Sequence, residues 1–184
     1  GQWCEHDPGV GAGSAIREAY RILDGEAHSP ELNIERADVL LTLGADLLGS
    51  ATETVGLTRQ YATRRGHRSG RRDFRHVHVE GNLSLTGASA DVRVQATAAE
   101  RGRWALQLLR RVAAASPGPA AELGRETTRT LPEDATHPAK VATIADELVR
   151  ARGRALVVSG SSDPAEQVAV ALLNRVLDAE GMTL

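Results

Sequence analysis

The sequence is poor in cysteine and in aromatic residues. Cys4 is its single cysteine, and one Phe, two Tyr and two Trp are the aromatic side chains among 184 residues. One cysteine forms no disulfide within the chain, and an iron–sulfur cluster needs several cysteine ligands. The shortage of aromatic rings also disfavours binding of single-stranded nucleic acid by base stacking. The core must therefore consist mainly of Leu, Val and Ala.

Long apolar runs and a strong net charge are absent as well. No run of about 18 apolar residues occurs, so the sequence predicts no direct membrane span. The formal net charge is -2 at pH 7, which argues against nucleic acid as a partner because no strong field attracts it. The chain starts at Gly1 rather than at a methionine. We expect residues 1–184 to form a single α/β domain of a longer polypeptide.

Residues 37–50, ADVLLTLGADLLGS, contain the clearest strand. Val39–Leu43 is an almost uninterrupted apolar run, typical of a strand covered on both faces, and it ends at Gly44. Residues 74–80 and 155–158 repeat the pattern, each with a glycine close behind. Because ligands bind at the carboxyl ends of strands in open α/β sheets, a shared binding edge is expected there. Gly44, Glu80 and Gly160 should converge at that edge.

Helical periodicity separates these strands. Helices are predicted over 14–23 with Ser14 as N-cap, over 52–65, over 97–115, over 136–150, and from Pro164 with Asp163 as N-cap. A short extended piece covers 92–94, and four prolines in 116–138 indicate a long surface excursion. Alternating strands and helices predict a doubly wound α/β fold of Rossmann-like type. Its sheet should be mostly parallel, with helices on both faces.

Several patterns suggest chemistry without completing a motif. The glycines of residues 9–13 suggest a phosphate cradle, but an ordinary strand-to-helix connection is favoured because no Gly-Lys-Ser/Thr follows. Ser161 and Ser162 do not lie in the Gly-x-Ser-x-Gly elbow of hydrolases. His76 and His78 share one face of a strand, with His67 nearby, but the spacing is not that of a known metal site.

Arginines are concentrated between residues 59 and 75. They are Arg59, Arg64, Arg65, Arg68, Arg71, Arg72 and Arg75. Such a cluster fits an anionic partner, and the competing interpretation is a solvated, mobile loop. We favour the solvated loop, because the interspersed glycines argue against a preorganised site.

Acidic residues follow or precede the predicted strands at Asp46, Glu80, Asp91 and Asp163. A carboxylate at a strand end can accept hydrogen bonds from a ribose or a guanine, and Glu80 is the best candidate because it ends the second strand. The competing interpretation of each acid is a helix N-cap or a turn. For Asp163 we favour the N-cap.

Three blocks resemble the molybdopterin oxidoreductase superfamily. They are RADVLLTLGADLLGS, VHVEGNLSLTGASADVRVQ and ALVVSGSSDPAEQVAVALLNRVLDAEG. The blocks lie between residues 34 and 184 and look most like the molybdopterin-oxidoreductase-like large subunit of alternative complex III. That resemblance implies a domain of a respiratory, quinol-oxidising complex that is membrane-associated on the periplasmic side. It also implies iron–sulfur and membrane subunits as partners.

The resemblance leaves the cofactor open. In cofactor-binding members these blocks hold a guanine dinucleotide of the molybdenum cofactor, which would place Gly44, Asp46, Glu80, Thr86, Gly160 and Ser161 in a binding site. Asp46 stands where such members often have Asn, and its carboxylate would repel a phosphate-rich ligand. The family's cysteine motif and a recognisable metal ligand are missing from this sequence.

Three functions follow from these patterns. The first is a non-catalytic scaffold domain without a cofactor inside an electron-transfer complex. The second is a domain that binds molybdopterin guanine dinucleotide in a molybdenum oxidoreductase. The third is a free-standing nucleotide-binding enzyme of Rossmann type. We expect the first, and under it we assign no catalytic residue.

Overall fold

The computed structural model describes residues 11–51, 53–66, 74–132 and 137–184. Its centre is a four-stranded sheet in the order β3-β2-β1-β4. The strands are β1 (Val39–Leu43), β2 (Arg75–Glu80), β3 (Val92–Gln95) and β4 (Ala155–Ser159). All three neighbouring pairs run parallel, with Leu41 opposite both Val77 and Val157. The prediction of a parallel α/β sheet is confirmed.

Seven helices surround the sheet in the described part of the chain. They are α1 (Gly11–Asp24), α2 (Thr54–Arg65), α3 (Leu85–Ser89), α4 (Ala98–Ala115), α5 (Pro119–Thr128), α6 (Pro138–Arg150) and α7 (Pro164–Val176). A 3-10 turn, Ile34–Arg36, precedes β1. Among these helices, none combines the length and hydropathy that crossing a bilayer requires.

The two faces of the sheet bury different layers. On one face Leu41, Val77 and Val157 pack with the apolar sides of α4, α6 and α7. On the other face Leu40 and Leu156 pack with Leu57 and Tyr61 of α2. Helices therefore cover both faces, as the doubly wound prediction requires.

Two predicted helix starts have different outcomes. Asp163 caps α7, because its Oδ1 accepts a hydrogen bond of 2.9 Å from the Ala165 N–H, so the N-cap interpretation is confirmed. Ser14 is not an N-cap, because α1 already begins at Gly11. The part of the predicted 9–13 glycine loop that the structure describes is thus helical, and residues 1–10 lie outside the description.

The segment 116–138 differs from the predicted surface excursion. Pro119 occupies the first turn of α5, where a proline ring costs no intrahelical hydrogen bond. Ala121 is fully buried in the core, and Gly124 lets α5 approach Ala113 of α4, to which an added Cβ would lie 3.0 Å away. The prolines therefore mark a helix start, and small residues let that helix pack closely.

Gly160 is the position where the strand-end backbones approach most closely, which gives a test of this architecture. A Cβ added there would lie 2.9 Å from the Gly44 carbonyl carbon and 3.0 Å from Ala45 Cα. We expect Gly160→Ala to lower the free energy of unfolding by about 1–3 kcal/mol through overpacking. Urea unfolding measures this change.

Gly56→Ala is the matched control. Gly56 lies in α2, and an added Cβ there meets no atom within 4 Å. Alanine should raise stability by about 0.5–1 kcal/mol, because it restricts the unfolded chain and favours helix. Equal effects of the two substitutions would contradict the close approach at Gly160.

Candidate functional site

The predicted strand-end residues come together at the carboxyl edge of the sheet. The Gly44 N–H donates to the Val79 carbonyl oxygen at 2.8 Å, and the Gly160 N–H donates to the Leu43 carbonyl oxygen at 3.0 Å. Glu80 ends β2 beside them. The convergence expected for the ends of β1, β2 and β4 is confirmed.

Asp46 and Thr86 join the loops that follow β1 and β2. Asp46 Oδ1 accepts from the Thr86 N–H at 3.1 Å and from the Thr86 hydroxyl at 2.8 Å. The Thr86 hydroxyl oxygen in turn accepts from the Leu48 N–H at 3.0 Å. A Cβ added at Gly49 would lie 2.9 Å from Asp46 Cγ, so the chain folds closely around this carboxylate. The carboxylate thus ties two loops together.

Ser161 is also engaged within the chain. Its hydroxyl oxygen accepts from the Asp163 N–H at 3.1 Å, and its carbonyl oxygen accepts from Gln167 Nε2 at 2.8 Å. The Ser161 N–H donates to the Ser159 hydroxyl oxygen at 3.0 Å. These bonds hold the β4–α7 turn in the shape that places Gly160 against Gly44.

Arg101 and Glu166 complete the edge, and the sequence analysis missed both. Arg101 Nε donates to Glu166 Oε1 at 3.2 Å, and the same oxygen accepts from the Ser159 hydroxyl at 2.5 Å. The Arg101 guanidinium lies against Gly44, where an added Cβ would be 2.9 Å from Arg101 Cζ. The close approach that was predicted at Gly44 is thus made by the side chain of Arg101 from α4. Gly44 also has φ +64, a backbone conformation that favours glycine.

Glu80 is enclosed rather than directed into an open crevice. It is 4% exposed, and its carboxylate accepts from Arg93 Nε at 2.5 Å, His78 Nε2 at 2.9 Å and the Ser84 N–H at 3.1 Å. Burial alone would raise the pKa of Glu80. The hydrogen bonds from Arg93, Ser84 and His78 outweigh burial, so the net shift of this pKa is downward.

A line of buried polar groups runs from Glu80 along the α2 face of the sheet. We call Tyr61, His76, Thr42, His78 and Glu80 the buried relay. The Tyr61 hydroxyl lies 3.0 Å from His76 Nδ1, and His76 Nε2 lies 2.9 Å from Thr42 Oγ1. Thr42 Oγ1 is 2.5 Å from His78 Nδ1. Both imidazoles and the Thr42 side chain are fully buried.

These contacts determine the tautomers when both imidazoles are neutral and Glu80 is ionised. His78 then donates from Nε2 to Glu80, so its Nδ1 accepts the Thr42 hydroxyl proton. Thr42 Oγ1 accepts in turn from His76 Nε2, which leaves His76 Nδ1 as an acceptor that faces the Tyr61 hydroxyl. The single hydrogen of that hydroxyl has a second acceptor within reach, the Ser89 carbonyl oxygen at 2.7 Å. From His76 to His78 every donor then points toward Glu80, and each ring nitrogen has one partner.

Protonation of His78 would reverse this order. An imidazolium donates from both ring nitrogens, so His78 would donate to Thr42 as well as to Glu80. Thr42 would then donate to His76 Nε2, and His76 would donate from Nδ1 to Tyr61. The Tyr61 hydroxyl has an acceptor for this state, the Ser89 carbonyl oxygen at 2.7 Å. The same contacts thus allow two hydrogen-bonding arrangements between Glu80 and Tyr61 of α2.

The surroundings keep both imidazoles neutral near pH 7. Burial, aided by the neighbouring His78 and Arg65 and opposed by Asp91, lowers the pKa of His76 to about 3. Burial also lowers the pKa of His78, although the Glu80 carboxylate opposes this shift. Within the described residues, no three His, Cys, Asp or Glu side chains form a group that could hold a metal ion. His67 lies outside the described residues.

The described arginines of the 59–75 cluster are not all solvated. Arg64 is 3% exposed and donates to the Ala37 carbonyl oxygen at 2.7 Å and to Asp38 Oδ1 at 2.5 Å. Arg65 donates to Asp91 Oδ1 at 2.7 Å and to the Tyr61 hydroxyl oxygen. The solvated-loop interpretation is wrong for Arg64, which α2 buries against the sheet. Residues 67–73 lie outside the description.

The Asp91 carboxylate is also hydrogen-bonded within the chain. Its Oδ2 accepts from the His76 N–H at 2.7 Å, while Oδ1 pairs with Arg65. Burial would raise the pKa of Asp91, and these hydrogen bonds outweigh it and lower the pKa. The carboxylate therefore joins the start of β3 to β2 and α2.

Thr42 is the link on which the buried relay depends. We expect Thr42→Val to lower the free energy of unfolding by about 1–3 kcal/mol, because it leaves polar ring nitrogens of His76 and His78 buried without a partner. Thr42→Ser is the control, since it keeps the hydroxyl and should cost clearly less. Chemical denaturation of the two variants tests this, and equal losses would contradict the relay.

The neutral histidines also predict a pH dependence of stability. An unfolded histidine has a pKa of about 6.5, whereas His76 has a pKa of about 3 in the fold. Below about pH 6.5 the unfolded chain therefore binds more protons, and folding stability falls as the pH falls. The loss due to His76 alone should be about 1 kcal/mol between pH 6 and pH 5.

Two glutamine variants separate this contribution from the rest of the chain. His76→Gln should reduce the loss between pH 6 and pH 5 by about 1 kcal/mol. His28→Gln, at an exposed position, should leave the loss unchanged. Unfolding measured at both pH values gives the comparison. An unaltered pH dependence in His76→Gln would refute a neutral buried His76.

Comparison of the sequence with known proteins assigns no family to this chain. No protein-family model matches the chain, and no curated protein matches it. The resemblance to the molybdopterin oxidoreductases stays a prediction that is based on three short blocks of sequence. The contacts at the carboxyl edge are the feature of this chain that bears most directly on its function.

Proposed function

We propose that this chain is a scaffold domain without a cofactor, in a molybdopterin-oxidoreductase-like subunit of a respiratory quinol-oxidising complex. In this role its surface contacts iron–sulfur and membrane subunits of the complex. One observation carries the proposal. The polar side chains that a cofactor would need at the carboxyl edge are hydrogen-bonded to other residues of the same chain.

The space above β1 and β4 supports this proposal. In doubly wound sheets the crevice beside the first strand, where the strand order reverses, receives the ligand. Here β1 and β4 flank that crevice, and the Arg101–Glu166 pair lies over Gly44. Glu166 is 5% exposed. Displacing Arg101 would leave this carboxylate buried without its cation, which costs about 3–5 kcal/mol.

Glu80 supports it in the same way. As a ligand for a guanine or ribose, its carboxylate would have to give up a hydrogen bond from Arg93, His78 or Ser84. Each bond to a charged group contributes about 1.5–3 kcal/mol, so an incoming hydroxyl or amino group would gain little by replacing one. The carboxylate is better suited to hold β2, β3 and α3 together.

The competing function is a domain that binds molybdopterin guanine dinucleotide through Gly44, Asp46, Glu80, Thr86, Gly160 and Ser161. The observation in its favour is the position of these residues, which lie at the strand ends where such folds bind nucleotides. Binding would require rearrangement of the Arg101–Glu166 and Asp46–Thr86 contacts.

The complete polypeptide, purified from its source under mild conditions, distinguishes the two functions. We expect it to purify with iron–sulfur and membrane subunits, to contain no stoichiometric molybdenum, and to give no saturable heat with GDP in calorimetric titration. Stoichiometric molybdenum, or GDP binding that Glu80→Gln weakens about 10-fold or more, would refute the scaffold proposal. Purification as a single free polypeptide would refute it as well.

A further inference from the structure

The buried relay ends at a partly exposed ion pair on each side. At one end the Glu80 carboxylate accepts from Arg93 Nε, and the Arg93 side chain is 31% exposed. At the other end the Tyr61 hydroxyl oxygen accepts from Arg65, which pairs with Asp91, and these two charged side chains are each 30% exposed. The imidazoles and the hydroxyl between these ends are fully buried. The relay therefore joins two places that solvent reaches.

Packing alone does not require a polar line at this position. On the same face of the sheet, β4 carries Leu156 and Val158 opposite Leu40 and Thr42 of β1. Apolar side chains thus fill the layer beside the relay without any need for hydrogen bonds. Buried imidazoles and hydroxyls, by contrast, lose their hydration and must all find partners within the protein.

The relay offers His78 a route to a second proton. In the neutral arrangement His78 Nδ1 accepts the hydrogen of the Thr42 hydroxyl, and Thr42 Oγ1 accepts from His76 Nε2. When each hydrogen crosses its own bond toward Glu80, Thr42 gives its hydrogen to His78 and takes that of His76. His76 then takes the Tyr61 hydrogen on Nδ1, and the Tyr61 oxygen takes a proton from solvent. The relay gains one proton, and neither ring has to turn.

The proton uptake changes the contacts of Tyr61. His76 is still neutral afterwards, but it carries its hydrogen on Nδ1 and donates to the Tyr61 oxygen, while Tyr61 donates to the Ser89 carbonyl oxygen. That phenolic oxygen already accepts from Arg65 Nε at 3.1 Å and Nη2 at 3.0 Å. Because a further donor competes with these two bonds, proton uptake weakens the contact between Tyr61 and Arg65 in the last turns of α2.

Charged groups from three elements decide how readily His78 holds the extra proton. Burial lowers the pKa of His78, and Arg93 on β3 also lowers it. The Glu80 carboxylate on β2 and the Asp46 carboxylate after β1 raise this pKa. The neutral ring of His76 lies 6.1 Å from that of His78. Because Arg93 already compensates the charge of Glu80, it disfavours a second positive charge beside this carboxylate.

We propose that the buried relay is a proton-linked switch. It takes up one proton at Tyr61, holds it on His78 beside Glu80 and converts His76 to its other tautomer. The contact of Arg93 with Glu80 keeps the switch in its neutral arrangement. This inference does not depend on the scaffold function, because it rests on contacts within this chain.

Nitrogen NMR of the purified polypeptide, produced with isotope-labelled histidine, tests the switch. The two ring nitrogens distinguish both neutral tautomers and the imidazolium. His76 and His78 are identified by the signals that His76→Gln and His78→Gln remove. At neutral pH we expect both rings to be neutral, with the hydrogen on Nε2. As the pH falls, His78 should become an imidazolium, and His76 should change from Nε2–H to Nδ1–H with the same midpoint.

Substitution of Arg93 tests what holds the switch in its neutral arrangement. Arg93→Gln should raise the common midpoint by about 1–3 pH units, because it removes the cation from Glu80. Arg93→Lys keeps a positive charge and should shift the midpoint clearly less. Arg129→Gln is the matched control. It removes a charge from a side chain that is 71% exposed on α5, away from the relay, and should leave the midpoint unchanged.

Each outcome has a defined meaning. If His76 keeps its hydrogen on Nε2 while His78 becomes protonated, the relay does not couple the two rings and the switch is overturned. Unfolding before His78 takes up a proton overturns it as well. An unchanged midpoint in Arg93→Gln overturns the role of Arg93, and if that variant does not fold, the titration of the unmodified polypeptide decides alone. None of these outcomes bears on the scaffold function, which is tested by the composition of the purified complex.

Discussion

The fold depends on complete hydrogen bonding within the buried relay. Two imidazoles, two hydroxyls and a carboxylate form the relay on the α2 face of the sheet, where an unpaired buried polar group costs about 1–3 kcal/mol. Apolar neighbours such as Leu40 and Leu156 would tolerate small shifts of one strand past another. The relay does not tolerate such a shift, because moving β1 by one residue along β2 would turn Thr42 away from both histidines. The relay therefore specifies the register of the two central strands.

The same requirement extends from the relay to the carboxyl edge. Glu80 ends the relay and also receives Arg93 of β3 and the Ser84 N–H that precedes α3. Because Ser84 caps α3, the carboxylate fixes where that helix starts, and Thr86 on the helix then reaches Asp46. A continuous set of polar contacts thus joins the centre of the sheet to the loops that follow β1 and β2. These contacts give the polar residues that cluster at the edge partners within the chain.

The strands and the parallel sheet could be predicted from the sequence, whereas the long-range polar contacts could not. Apolar runs such as Val39–Leu43 identify buried strands, and their alternation with helices identifies the parallel sheet, because burial on both faces leaves a local pattern. The spacing of His76, His78 and Glu80 places them on one strand face, yet their partner Thr42 is 34 residues before His76 and is found only through the register of β1. Likewise, Arg101 reaches Glu166 across 65 residues of chain. Contacts of this kind depend on packing, and no local periodicity reports them.

The residues that carry the family resemblance are the ones that hold this fold together. In the first block Asp38 pairs with Arg64 and Arg154, and in the last block Asn174 closes the edge of β4. Asp91, in the second block, joins β3 to β2 through the His76 N–H. These contacts give each block a structural role that does not depend on a cofactor. The polar residues of the three blocks are therefore explained by the fold itself, and this is why we propose a scaffold function for the domain rather than a chemical one.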